Sequence, residues 1–550
     1  MPFVGSVEGT FGYGRGPNAP DNIMNAKWSV YLTNNNTTFE PKVSIATDNL
    51  NNTYMASTYF TATQININRA SGTSQTISAY NLPTGGNNCL IKYDSAGQVI
   101  WATYFTTTNA SQISGIVCDS SNNVYIVGLY THINTYLILR NVSGTTTVES
   151  SYTLPPTLDI NSTSGFIIKY NTTGQVQWAT YLGDSGTHRL FGIACYSNVL
   201  FITGFNSSSN PTTLMDVFGT SQSSSSITLD STNNVLFSIL LKYNTDGLAQ
   251  WATYIPTSSR SFKVCCDSLG NPVLVGQVAI TPASLVLKDA NNNSQIDSQW
   301  SITKITNITF FVIKYINSTG VVSWATTLPT NSNTFVYSSI AIDSLDNIYI
   351  TSSYTSSASI TLNNANTATF NQSPSLFTLP SSLSYVFPLL VKYNSSGTVL
   401  WGTYIIYGKP TYKTAGIDLC IKKGTDYVYI TGTVNPTAPV NLINANNTSQ
   451  IASSVTFNTT TQTGNRVFII KYNSNGIITC ATYLNTSVTT GDTTGYSIVT
   501  YGNNLYIGVF SAMLASGGTL FNAQKNTQVT SSYTINSTSG NNICLLAYTN

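Results

Sequence analysis

The chain has 550 residues, a formal net charge of +2 and only 8% Asp, Glu, Lys and Arg, well under the ~25% usual for a soluble protein. Its 41% hydrophobic content excludes a disordered chain and is enough for a large core. No basic patch stands out, which argues against nucleic-acid partners, and no apolar run approaches the ~18–20 residues of a membrane helix, so no membrane insertion is expected.

From the start of the chain, "MPFVGSVEGTFGYGRGPNAPDN" has neither the cationic start nor the apolar core of a secretory leader. The stretch 1–26 reads as an arm that docks on a neighbour, or else as a plain tail. "KWSVYL" (27–32) follows as a short strand. Next comes "VSIATDNLNNTYMAS" (43–57), two β-branched and aromatic runs around an Asp/Asn turn, which predicts a hairpin. After a polar connection, "CLIKYDSAGQVIWATYF" (89–105) predicts a second hairpin, with Gly97 in its turn.

These two phrases then recur. The second returns as "FIIKYNTTGQVQWATYL" (166–182), "ILLKYNTDGLAQWATYI" (239–255), "FVIKYINSTGVVSWATTL" (311–328), "LLVKYNSSGTVLWGTYI" (389–405) and "FIIKYNSNGIITCATYL" (468–484). The first returns at 115–128, 192–204, 263–276, 340–352, 416–432 and 496–508. The repeated lysines Lys92, Lys169, Lys242, Lys314, Lys392 and Lys471 are spaced by 72–79 residues. Each repeat therefore holds four short antiparallel strands, a to d, which is the make-up of a β-propeller blade. The last repeat has strand c, "ICLLAY" (543–548), but no strand d, whereas 27–32 is a strand d without a strand c. The expected fold is all-β: a single seven-bladed propeller over 27–550, its seventh blade closed by 27–32 pairing with 543–548.

The phrases resemble the SBBP family of propeller repeats, whose pattern runs Phe-Ile-x-Lys-aromatic to Gly, then Thr-Tyr-Leu, then Gly-Ile-Ala-x-Asp to Tyr-Val-Thr-Gly. The resemblance covers all seven repeats and implies the fold rather than an activity. Such repeats occur in secreted bacterial proteins and in large DNA viruses of amoebae, and the Asn, Ile and Tyr bias fits the viral setting. This chain departs from the pattern in its long b-to-c connections, such as 130–164, 205–236 and 277–308. Alternation in "SQTISAYNL", "SSITLDS" and "SVTFNTT" predicts extra hairpins there, and up-and-down topology predicts that all these inserts crown one face.

Site chemistry is sparse. His132 and His188 lack nucleophile or metal partners in the sequence, so no enzyme is expected. The repeated lysine reads as structural, its stem packed and its ammonium at a polar rim. Asp48, Asp119, Asp267 and Asp343 read as turn caps expected at the same blade end as the lysines. "DANNNSQID" (289–297) offers Asp289, Asn291, Asn293 and Asp297 as calcium ligands, the one cofactor raised, although Ser294 and Trp300 replace the Gly and Glu of such loops; a polar surface turn is the other reading. The eight cysteines lack zinc-type spacing and read as buried thiols, with disulfides or a redox site as the alternative. Sequons occur at Asn141, Asn161, Asn171, Asn307, Asn317, Asn458 and Asn536. Together these point to a non-enzymatic structural or interaction protein, self-assembling on a virion or extracellular surface. The alternative is a lectin-like propeller that grips glycans or proteins with its insert crown.

Overall fold

The computed structural model describes residues 23–549 apart from 35–41, 60–63, 85–86, 107–110, 132–135, 157–161, 183–185, 209, 231–235, 280–283, 304–308, 329–337, 383–385, 408–414, 435–439, 447, 458–464, 487–491, 513–517, 525–526 and 536–540. Every regular element among the described residues is a β-strand, and pairing is antiparallel throughout the named strands. The strands sort into groups of four bonded in the order a-b-c-d, each with a two-stranded hairpin inserted between b and c.

Unit 1 is Val43–Thr47, Thr53–Tyr59, Asn87–Tyr93 and Val99–Phe105. Unit 2 is Ser111–Cys118, Val124–Tyr130, Ser164–Tyr170 and Val176–Tyr181. Unit 3 is Thr187–Tyr196, Val199–Ser207, Phe237–Asn244 and Ala249–Tyr254. Unit 4 is Ser259–Cys266, Pro272–Val278, Thr309–Tyr315 and Val322–Leu328. Unit 5 is Ser339–Ile342, Ile348–Tyr354, Phe387–Tyr393 and Val399–Tyr407. Unit 6 is Ala415–Lys422, Tyr427–Val434, Arg466–Tyr472 and Ile478–Thr486. Unit 7 takes strands a to c from Thr493–Tyr501, Asn504–Ser511 and Asn541–Thr549, and its fourth strand is Ile23–Asn34 from the other end of the chain. That strand takes in residues 23–26 of the stretch expected as an arm, with Met24 and Ala26 buried; residues 1–22 lie outside the described residues.

Strands b and c are covered on both faces. Thr53–Tyr59, Val124–Tyr130, Pro272–Val278 and Ile348–Tyr354 are buried at every position, which is why they read as unbroken apolar or small-residue runs rather than as alternation. The apolar clusters lie between successive sheets, as in the one joining Phe105 and Leu90 of unit 1 to Ile126 and Phe166 of unit 2. Strand a of each unit packs beside strand a of the next, and strand a of unit 7 packs beside that of unit 1. The architecture is propeller-like.

The inserts do not crown a face, contrary to the sequence expectation. Each folds back along the outer wall toward the turns at the opposite end. The N–H groups of Ala70, Val142, Val217, Ala290, Ala365 and Ala445, near the insert tips, donate to the carbonyls of Gly97, Gly174, Gly247, Gly320, Gly397 and Gly476 in the c–d turns. On the way, the first insert strand runs beside strand d of the preceding unit: Ile405 pairs with Leu442, and Leu484 with Leu520. The physical reason is the gap between sheets that splay outward from a common centre. Alternating apolar side chains fill it, among them Ile65, Ile67 and Leu82, or Leu137, Leu139 and Leu154, while intervening positions face solvent.

Candidate functional site

The repeated Lys and Trp clasp one unit to the next. Trp101, Trp178, Trp251, Trp324 and Trp401 donate their indole N–H to the turn carbonyls of Thr172, Thr245, Asn317, Ser395 and Ser474, at 2.9–3.1 Å. Lys92, Lys169, Lys242, Lys314 and Lys392 donate to the same carbonyls. Trp28 of unit 7 does the same to Ser95 of unit 1, at 3.0 Å. The turn glycines are needed twice over. Gly97 has φ of 78°, and a Cβ there would stand 2.9 Å from the Trp28 ring.

The turn aspartates meet the lysines as expected. Lys92 lies 3.2 Å from Asp48, Lys314 2.7 Å from Asp267 and Lys392 3.6 Å from Asp343, all buried. The other carboxylate oxygen caps the a–b turn, as where Asp48 Oδ1 accepts from the N–H of Leu50 and of Asn52. The hydroxyls of Tyr125 and Tyr349 donate to Asp119 and Asp343. These aspartates, lysines and tyrosines are satisfied by one another and by the backbone, an arrangement that ties strands and turns together.

The a–b turns are also linked around the structure. Asn49 Nδ2 donates to the Ser120 carbonyl, Tyr196 to that of Ser268, Ser268 to Asp346, and Ser344 to Asp426. Tyr501 of unit 7 donates to the Asn49 carbonyl of unit 1. On this locked surface Leu50, Leu269 and Leu345 stand 69–73% exposed.

Where the strands a come together, residues from them and from the positions just before them line a partly open cavity of about 60 Å³. Its lining includes Lys42 and Ser44 (unit 1), Ser114, Phe191, Lys263, Ser338, Ile417 and Tyr496, so every unit contributes. Lys42 sits 4.9 Å over the Phe191 ring, and Lys263 lies 3.4 Å from Asp418. Burial, with Arg189 and Lys263 nearby, draws the Lys42 ammonium down to about 8.

The structure does not gather the calcium candidates into a site. Asp289 lies in the insert strand Ser284–Asn291, and its Oδ1 accepts the N–H of Val322 at 2.7 Å. Asp297 is paired opposite Lys288 and bonded to it at 2.7 Å, which puts it on the other face of the hairpin from Asp289. Asn291 pairs with Ser294 across the turn, and Asn293 accepts from Ser226 and Thr228 of the preceding insert. Among the described residues no three His, Cys, Asp or Glu groups stand close enough to hold a metal.

Asp289 instead belongs to a second repeat that the sequence reading missed. Asn141, Asp216, Asn364 and Asn444 occupy the same insert position and accept the first N–H of their own strand d, from Val176, Ala249, Val399 and Ile478. Asn522 of unit 7 accepts from Ala26, on the N-terminal strand. The signal was present as Asn/Asp followed by Ala or Val in each of these inserts, 33–35 residues before the capped residue in every case but Asn522.

His188 is buried in strand a of unit 3, and His132 lies outside the described residues. All eight cysteines are free, and burial pushes the thiols of Cys89, Cys480 and Cys544 up to about 12. Of the sequon residues, Asn141 and Asn171 use their side-chain oxygens to cap backbone, and Asn317 gives its carbonyl to Trp251; Asn161, Asn307, Asn458 and Asn536 lie outside the described residues.

The chain is similar to an uncharacterised WD repeat-containing protein, L264, of Acanthamoeba polyphaga mimivirus, with 24% identity over 401 residues, or 65% of this chain. It spans about a quarter (26%) of that protein's length. A crystal structure of a protein of unknown function from Bacteroides caccae aligns over 68% of this chain and 90% of its own, at 10% identity and a TM-score of 0.28, a likeness too slight to bear on the fold. No family model matches the chain, so the SBBP resemblance rests on the repeated phrases alone. The structure and the viral relative together support a β-propeller-like repeat protein.

Proposed function

We propose that the seven units close into one seven-bladed ring, and that the ring is a non-enzymatic scaffold which self-associates through its turn face in a virus-associated setting. Closure is supported where the chain ends meet. Ile45 of unit 1 donates to Ser497 of unit 7, Trp28 reaches Ser95, and the Thr534 N–H of the last insert reaches the Thr73 carbonyl of the first. The viral setting is supported by the mimivirus relative.

The observation that carries the function is the set Leu50, Leu269 and Leu345. A leucine more than two-thirds exposed at the tip of a hydrogen-bond-locked turn adds little to folding. Three of them on one rigid face, in a chain of net charge +2, suit association with a second copy at little electrostatic cost. Burying each contributes about 1.5–3 kcal/mol. The glycan alternative relied on an insert crown, whereas the insert tips bond to the c–d turns, which favours the turn-face reading.

The test is sedentation-free light scattering of the purified chain and of a triple Leu50→Asp, Leu269→Asp, Leu345→Asp variant. The reading expects concentration-dependent assembly of the parent and a monomeric variant with unchanged thermal unfolding. A parent that stays monomeric, or assembly that the three substitutions leave intact, contradicts it.

A further inference from the structure

We propose that residues 1–22 of one copy dock on the turn face of a second copy, with Phe3, Phe11 and Tyr13 covering Leu50, Leu269 and Leu345. The inference rests on the turn-face reading above and names the segment that occupies that face. It is carried by where the segment is rooted. The first described residues, Ile23 and Met24, open the fourth strand of unit 7 and pair with Gln524 and Ala523 at the tip of the last insert. Asn25 shares a row with Thr549 and Asn504, and Asn504 closes the a–b turn of unit 7 opposite Tyr501. Lys27 Nζ donates to Asn504 Oδ1 at 3.2 Å, and the Tyr501 hydroxyl donates to the carbonyl of Asn49, the residue before Leu50. The strand therefore starts at the turn end of the structure, and residues 1–22 join it beside the turn that carries Leu50.

The leucines are not required by the turns that carry them. Leu50, Leu269 and Leu345 take the same place, two residues after the capping aspartate, and the N–H of each donates to that aspartate's Oδ1 at 3.0 Å. Ser121 fills this place in unit 2 and makes the same bond to Asp119, at 2.9 Å. A polar residue thus serves the turn equally well. The three leucines, 69–73% exposed, are left as apolar side chains held in place by a locked main chain.

The composition of residues 1–22 matches that surface. The segment places Phe3, Val4, Val7, Phe11 and Tyr13 among five glycines, and Glu8, Arg15 and Asp21 are its only charged side chains. Aromatic side chains give a large contact area for little lost rotamer freedom, and the glycines let the main chain approach a surface closely. Fully extended, the segment reaches about 70 Å, more than the roughly 60 Å across a compact body of 550 residues, so it can pass from its root to all three leucine turns of a facing copy. In a pair joined through the turn faces both segments start inside the contact. Each copy then gives its segment and receives the other's, a two-fold arrangement that closes at a dimer.

Light scattering and photo-cross-linking of the full chain test this. Phe3→Asp, Phe11→Asp and Tyr13→Asp together should raise the dimer dissociation constant at least about tenfold, or 1.4 kcal/mol, and leave thermal unfolding unchanged. With the photo-cross-linker p-benzoylphenylalanine at position 11, irradiation of mixed isotope-labelled and unlabelled copies should link that position to the turn peptides around Leu50, Leu269 or Leu345 of the other copy. If this variant pairs like the parent while Leu50→Asp, Leu269→Asp, Leu345→Asp is monomeric, the docking segment is overturned and the turn-face reading stands. Links only within one chain, or only to other surfaces, overturn the docking as well. A parent that stays monomeric overturns both.

Discussion

Replacing Trp28 by Ala isolates the junction between the two chain ends. Trp28 is 3% exposed, packs 5.8 Å from Tyr506, donates its indole N–H to Ser95 and covers the Gly97 turn. Loss of a buried Trp side chain costs about 3–5 kcal/mol, with about 1 kcal/mol more from the lost hydrogen bond. Trp178→Ala removes a like set of contacts, with a 5% exposed ring, the Thr245 carbonyl and the Gly247 turn, but between units continuous in sequence. The two variants should therefore lose similar stability and differ in where they open. Hydrogen exchange should show the paired strands Ile23–Asn34 and Asn541–Thr549 losing protection selectively in Trp28→Ala. In Trp178→Ala these strands should keep it. Equal protection of the terminal strands in both variants, or a Trp28→Ala protein as stable as the parent, refutes the reasoning.

Three further outcomes follow from the same geometry. Cys480 stands at the repeated Trp position in unit 6, where the next unit has no c–d turn because its last strand comes from the far end of the chain, so Cys480→Trp finds no carbonyl and overpacks a fully buried site; thermal unfolding should show a loss of about 1–3 kcal/mol. Burial pushes the Asp267 carboxyl up, but hydrogen bonds from Lys314 and Asn271 and the Lys314 charge outweigh it and hold the group below its ordinary 3.8; the stability it contributes is then full above that value and lost as pH falls through the folded value, and Asp267→Asn should flatten the acid limb of a stability–pH profile. Asp289→Asn should be nearly neutral, as its counterparts Asn141, Asn364 and Asn444 cap the same position, whereas Asp289→Ala should cost about 1–3 kcal/mol in denaturant unfolding; a calcium-dependent rise in the midpoint of the parent would contradict that structural role.

The strand plan was legible because strands b and c are buried on both faces, so their residues are mostly apolar or small, and because the six c–d turns each hold a glycine at positive φ. The lysine and tryptophan were recognisable as repeats, yet their shared acceptor was not, since a backbone carbonyl of the next unit leaves no trace in residue identity. The path of the inserts was hidden for a related reason. Their tips are fixed by main-chain bonds to the turn glycines, and only the small residue beside each cap, such as Ala290 or Ala365, records the close approach. The capping role of Asp289 was hidden because its neighbours in sequence imitate a metal loop, while its equivalents lie in other inserts at the same register. The central cations are singular rather than repeated, so no pattern pointed to them.

A single cross-link tests closure most directly. Tyr31 on the N-terminal strand is the register partner of the free, buried Cys544 on the last strand. Directly opposed residues in an antiparallel pair stand within about 4.5–5.5 Å at Cβ, close enough for a disulfide to form with slight adjustment. In Tyr31→Cys, mild oxidation followed by peptide mapping of the monomer should recover a 31–544 disulfide within one chain, with stability retained or raised. A Cys544 that stays reduced, or a bond that forms only between chains, would contradict a ring closed by its own first strand.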